Sequence, residues 1–188
     1  MDAFSYLSVL LSIIIGLAMT QVLMGYRGLL LSRSRVKLYA PTLVWSGLIL
    51  VFAVQSWWAS FGLSDDEAWT FLDFGLVLLQ TALLYMTAGV VLPDIPPGET
   101  VDLREHYYRE APAFFAFIVA MLAVSLLKDV ALEGELPERS NVIFHLAFGA
   151  LSVAAIFVRR PIFHQALAVV ATLGTVTYIG LLFFRLEV

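Results

Sequence analysis

Apolar residues fall into six long stretches, each closed by charges, proline or a polar turn. A helix needs ~20 mainly apolar residues to cross a ~30 Å hydrocarbon layer. The stretches cover about 3–31 (stopped by Ser32-Arg33-Ser34-Arg35), 40–63, 68–92 (stopped by Pro93-Asp94 and Pro96-Pro97-Gly98), 111–130, 141–158 and 162–184. Pro41 and Pro112 stand near the starts of the second and fourth, where a missing N–H is tolerated. None shows the period-2 alternation of an outer-membrane barrel strand. The pattern predicts an all-α, polytopic bundle of six transmembrane helices forming a single domain over 1–188. Apart from 93–110 the connections are short, so activity is expected within the bilayer or at its two surfaces. The N-terminus lacks a basic n-region and a small-residue cleavage site, so the first span is read as retained.

Composition narrows the class further. Of 188 residues, 61% are hydrophobic and 14% charged, against roughly 45–50% and about 25% in soluble domains. Mean hydropathy is +0.90. The absence of cysteine excludes disulfides, thiol nucleophiles and Cys-ligated metal centres. A formal charge of −4 carries no nucleic-acid-binding footprint. The expected surroundings are a lipid bilayer, with a homo-oligomer or a membrane-protein partner as further candidates.

Lys and Arg retained in short loops mark the cytoplasmic side. One set of connections holds eight: Arg27, Arg33, Arg35, Lys37, Arg104, Arg109, Arg159 and Arg160. The other side holds three: Lys128, Arg139 and Arg185. Both termini are therefore expected outside, toward the periplasm if the membrane is a bacterial inner one. Acidic residues (Asp65, Asp66, Glu67, Glu133, Glu135, Glu138) gather on that same side. Trp57, Trp58 and Trp69 are expected at the outer interface, and Tyr26, Tyr39, Tyr107 and Tyr108 at the inner one.

Between apolar helices, association depends on close backbone approach and polar contacts. The first span carries a ridge of Ser8, Ser12, Gly16 and Thr20, and the fourth a face of Ala113, Ala116, Ala120 and Ala123. Either face serves bundle packing or an oligomer seam. A three-plus-three inverted repeat would give the two halves opposite topology, but no polar or glycine positions match persuasively between them.

Ionisable residues inside a membrane usually face a bundle interior or a wet cavity. Asp73, Gln80 and Thr87 stand seven residues apart, on one helical face. Gln55, Ser56, Lys128, Asp129, His145 and Arg185 fall in the same outer half. In the structural reading they snorkel, cap helix ends or bond between helices. In the functional reading, Asp73, Lys128, Asp129 and His145 line an outward-facing pocket for a proton, an ion or a small polar solute, with Gln55, Gln80 and Thr87 along the pathway. Gln21 is read as interhelical glue. The segment 93–110, with His106, Tyr107 and Arg109, is read as a short interfacial helix or a partner-binding surface.

Of the three imidazoles, His145 is expected near the outer face and His164 near the inner, too far apart to hold one haem; His106 and His164 share the inner face with no further sign of cofactor ligation, and His106 with Glu110 lacks a third metal ligand. No G-x-S-x-G, H-E-x-x-H, Walker A, G-x-G-x-x-G, voltage-sensor or T-V-G-Y-G pattern occurs. No catalytic residue, metal or cofactor is expected.

The string Met1-Asp2-Ala3-Phe4-Ser5-Tyr6-Leu7 leading into Ile13-Ile14-Ile15-Gly16-Leu17, with Val54-Gln55-Ser56-Trp57-Trp58, Val101-Asp102-Leu103-Arg104 and Leu127-Lys128-Asp129, resembles small polytopic inner-membrane proteins of bacteria. The resemblance spans most of the chain. It implies a bacterial inner membrane and carries no activity, ligand or site residue with it. The leading functional expectation is a small transporter or channel-like protein. A non-transporting accessory or scaffold protein, and an intramembrane sensor or enzyme using His145, are the alternatives.

Overall fold

The computed structural model describes residues 3–65 and 69–182. Asp66, Glu67 and Arg185 lie outside the described residues. The described residues include six α-helices: α1 (Ala3–Leu31), α2 (Ala40–Ala59), α3 (Phe71–Val91), α4 (Leu103–Glu133), α5 (Arg139–Phe157) and α6 (Pro161–Leu182). All six contain a window long and apolar enough to cross a membrane. The chain is an all-α, multi-pass membrane bundle.

Local chemistry sets the helix ends. Proline opens α2 and α6, where no N–H is needed. Glycine closes α4: Gly134 has φ 73°, a left-handed conformation open to a residue without a Cβ, and its N–H bonds the Val130 carbonyl at 3.0 Å. The start of α4 differs from the sequence expectation. Instead of a separate interfacial segment before a span at 111, one continuous helix begins at Leu103. Asp102 causes this by accepting hydrogen bonds from the Arg104 and Glu105 N–H groups at 2.9 and 3.4 Å. Pro112 sits well inside this helix, where it deprives the Tyr108 carbonyl of its usual donor.

A two-residue parallel pairing ties the α1–α2 and α3–α4 connections together. In it β1 (Val36–Lys37) meets β2 (Val101–Asp102) in the register Val36 to Val101 and Lys37 to Asp102. Arg35 reinforces it by donating to the Glu99 carbonyl at 3.0 Å, and buried Thr42 donates to the Leu103 carbonyl at 3.2 Å. At the same end, a Cβ on Gly25 would meet Leu92 atoms at 2.7 and 2.9 Å, so this close approach of α1 to the end of α3 requires glycine.

The core runs through the cation-rich half of the bundle. Trp45 on α2 is fully buried, edge-on to Phe114 and Phe115 (centroids 5.4 and 5.2 Å) and stacked on Phe148 (6.2 Å). Nearby, the His164 ring bonds the Val158 carbonyl through Nε2 at 2.6 Å. A carbonyl only accepts, so Nε2 carries the proton and Nδ1 accepts from the Tyr107 hydroxyl at 2.9 Å. Tyr39 and Tyr108 complete this aromatic cluster, their hydroxyls 3.1 Å apart. Tyr107 is therefore a buried core residue and not a member of a headgroup belt. Gln21 on α1 donates to the Tyr85 hydroxyl of α3 at 2.9 Å.

The small-residue faces point away from the bundle. Leu7, Leu11, Ile15, Ala18 and Val22 form the buried side of α1. Ser12, Gly16 and Thr20 are exposed, Ser8 is half-buried, and a Cβ on Gly16 would meet nothing within 4 Å. On α4, Ala113, Ala116 and Ala123 are exposed and Ala120 half-buried. Neither face makes a tight crossing within one copy of the chain.

Candidate functional site

A cavity of ≈ 550 Å³ lies between the helices in the half opposite the Trp45 core, and all six helices contribute to its wall. Gln55 and Ser56 come from α2, Gln80 and Thr81 from α3, and Ser125, Lys128 and Asp129 from α4. Asn141 and His145 come from α5, and Thr175 and Tyr178 from α6.

Position along each helix explains this grouping. The C-terminal parts of α2, α4 and α6 and the N-terminal parts of α3 and α5 meet at one end of the bundle, and the polar lining residues occupy those parts. Deeper, the wall turns to carbon: Phe52, Met121, Leu122, Phe148, Leu151 and Val170. From Asn141 to Leu151, both lining, α5 rises ~15 Å at about 1.5 Å per residue. Phe148 stacks on Trp45, so the cavity abuts the buried aromatic core at this end.

At the polar end, Lys128 Nζ stands 3.3 Å from Asp129 Oδ1, with only 19% and 14% of the two side chains exposed. Adjacent residues on a helix diverge by ~100°, and the flexible lysine stem closes that gap. The His145 Nδ1 lies 2.9 Å from the Asn141 carbonyl and so carries a proton toward it. Tyr178 donates to the Asn141 side-chain oxygen at 3.1 Å and packs edge-on to His145, their rings 6.2 Å apart. This arrangement offers a cation, an anion, an imidazole, three primary amides and several hydroxyls to one space.

The sequence-derived candidates divide cleanly. Gln55, Gln80, Lys128, Asp129 and His145 share the cavity, together with Ser56. Asp73 and Thr87 are not part of its wall. Asp73 caps its own helix, with Oδ2 accepting from the Thr70 N–H (2.9 Å) and hydroxyl (2.6 Å) while its N–H donates to Thr70 Oγ1 (3.2 Å). Thr87, fully buried, donates to the Leu83 carbonyl of its own helix at 2.7 Å.

Asn141, Ser125, Thr175 and Tyr178 escaped the sequence reading. Helical spacing could have found them, since Ser125 precedes Lys128 by three residues, Asn141 precedes His145 by four, and Thr175 precedes Tyr178 by three. Among the described residues no three His, Asp or Glu side chains come together as a metal site.

No family model, curated protein or solved structure matches the chain.

Proposed function

We propose that the protein is a small membrane carrier that takes up a solute through this cavity, from the side bearing the acidic connections. The single observation carrying this reading is the convergence of Gln55, Gln80, Lys128, Asp129 and His145, from four different helices, on one ≈ 550 Å³ space. Buried polar groups are costly in a membrane and gather where a pathway or site needs them. The packed Trp45 core against Phe148 favours a carrier over an open pore, because passage through it requires the helices around Trp45 to rearrange. The distribution of Lys and Arg in its loops supports an orientation with the cavity on the outer face, the periplasmic one if the membrane is a bacterial inner membrane.

Flux into proteoliposomes tests this, with candidate solutes presented to the cavity side. Asp129→Asn and His145→Phe are expected to reduce uptake at least about tenfold, the scale of losing one charge-assisted hydrogen bond. Asp73→Asn, which alters only the α3 cap, is expected to leave the rate per folded molecule unchanged. Equal uptake by wild type and both cavity variants would refute the carrier.

The second reading is an accessory or scaffold protein that recruits a partner or a second copy. The outward placement of Ser12, Gly16 and Thr20 on α1, and of Ala113, Ala116 and Ala123 on α4, supports it. Purification from native membranes discriminates: a chain that is always recovered alone and monomeric argues against it.

A further inference from the structure

We propose that the solute is a water-borne, single-chain amphiphile whose net-neutral head carries both hydrogen-bond donors and acceptors. This rests on the cavity being the solute site and names what it takes. The cavity wall is divided lengthwise. At one end stand Lys128, Asp129, Asn141 and His145; at the other, Phe52, Leu122, Phe148 and Leu151. A proton or small ion uses only the first group. Past Gln80 and Thr81, midway along α3, the wall is carbon and offers an ion no ligands. The same depth does favour a hydrocarbon tail drawn from water, and ≈ 550 Å³ is the size of a site for a molecule of drug-like dimensions.

The polar end sets the head. Lys128 and Asp129 contribute one positive and one negative charge 3.3 Å apart. A monovalent ion would compensate one and oppose the other, whereas a zwitterion or a neutral donor–acceptor head answers both. Asn141 and His145 add acceptors and donors beside them.

Straight-chain 2-aminoalkanoic acids of four to about twelve carbons are the direct probe, since the zwitterionic head is constant and only the tail grows. Binding to the full-length protein in lipid nanodiscs is measured by titration calorimetry, with empty nanodiscs subtracted. Affinity is expected to rise about fourfold per methylene, then level off when the tail reaches the aromatic core. Gly174→Leu provides the steric control. Gly174 lines the cavity, a Cβ there meets nothing within 4 Å, and leucine is the better helix former. This variant is expected to cut the affinity of the ten-carbon acid at least tenfold and leave the four-carbon acid unchanged. Lys128→Met is expected to weaken the whole series by one common factor.

Affinity independent of tail length yet abolished by Lys128→Met would overturn the amphiphile and leave a polar-solute carrier standing. No binding beyond empty nanodiscs would also overturn it, and the carrier would then be judged on flux alone. Displacement by lysophosphatidylcholine without competition from the amino acids would assign the space to a leaflet lipid, against the proposal.

Discussion

Trp45→Ala is expected to destabilise the protein by about 3–5 kcal/mol, the range for deleting a large aromatic from a packed interior. The melting midpoint in detergent should fall by roughly 10 °C or more. Trp45 is fully buried and contacts three phenylalanines, from α4 and α5, so its removal leaves a void that three separate rings would have to close. In a bilayer the transfer of apolar surface contributes little between helices, and lost dispersion contacts dominate. Trp45→Phe keeps a ring against Phe148 and should fall much less. Because Phe148 also lines the cavity, the alanine variant should loosen that wall. A carrier so altered would leak solute at the same time as it loses stability.

The second large effect concerns Lys128 and Asp129. Removing either partner alone strands a charge in a mostly buried position, and Asp129→Asn or Lys128→Met should each cost toward the lower end of about 3–5 kcal/mol. The residual exposure of 19% and 14% keeps the cost from the top of that range. The double variant Lys128→Met/Asp129→Asn strands nothing and should be more stable than either single one. Thermal melts of the four proteins read this as a positive coupling. Additive losses would mean that the two groups are independently hydrated, with no mutual dependence. The stability effect is separable from transport, because the double variant should fold well and still fail to accumulate solute.

The sequence was most informative where an element is dictated by length and punctuation. Six apolar stretches closed by Arg33, Pro93 and their counterparts are six helices, because an uninterrupted apolar helix satisfies its own backbone. Which face of each helix turns inward was less legible. On α1 the small ridge of Ser12, Gly16 and Thr20 looked like the packing seam, but Leu11, Ile15, Ala18 and Val22 fill it instead. Lipid accepts leucine as readily as a neighbouring helix does, so an all-apolar helix carries little signal for its buried side. The polar gathering was half legible. Depth placed Gln55, Lys128, Asp129 and His145 together, whereas the seven-residue repeat misled at both ends. Asp73 falls three residues after Thr70, the spacing at which an acidic side chain turns back to the helix start. Thr87 satisfies its hydroxyl within its own turn. The continuous start of α4 was legible in Asp102 but masked by the stronger expectation that Pro112 begins a helix.

The proposed carrier requires that polar residues from five helices, α2 to α6, enclose a space that water can reach. The natural chain contains no cysteine, so each single-cysteine variant reports one position only. Ser56→Cys and Ser125→Cys line the cavity; Ser152→Cys, at a fully buried position on α5 outside its wall, is the reference. The account predicts that a membrane-impermeant methanethiosulfonate, added to intact cells, labels the first two at least about tenfold faster than the third. Labelling of Ser56→Cys and Ser125→Cys no faster than Ser152→Cys, from either side of the membrane, would contradict it.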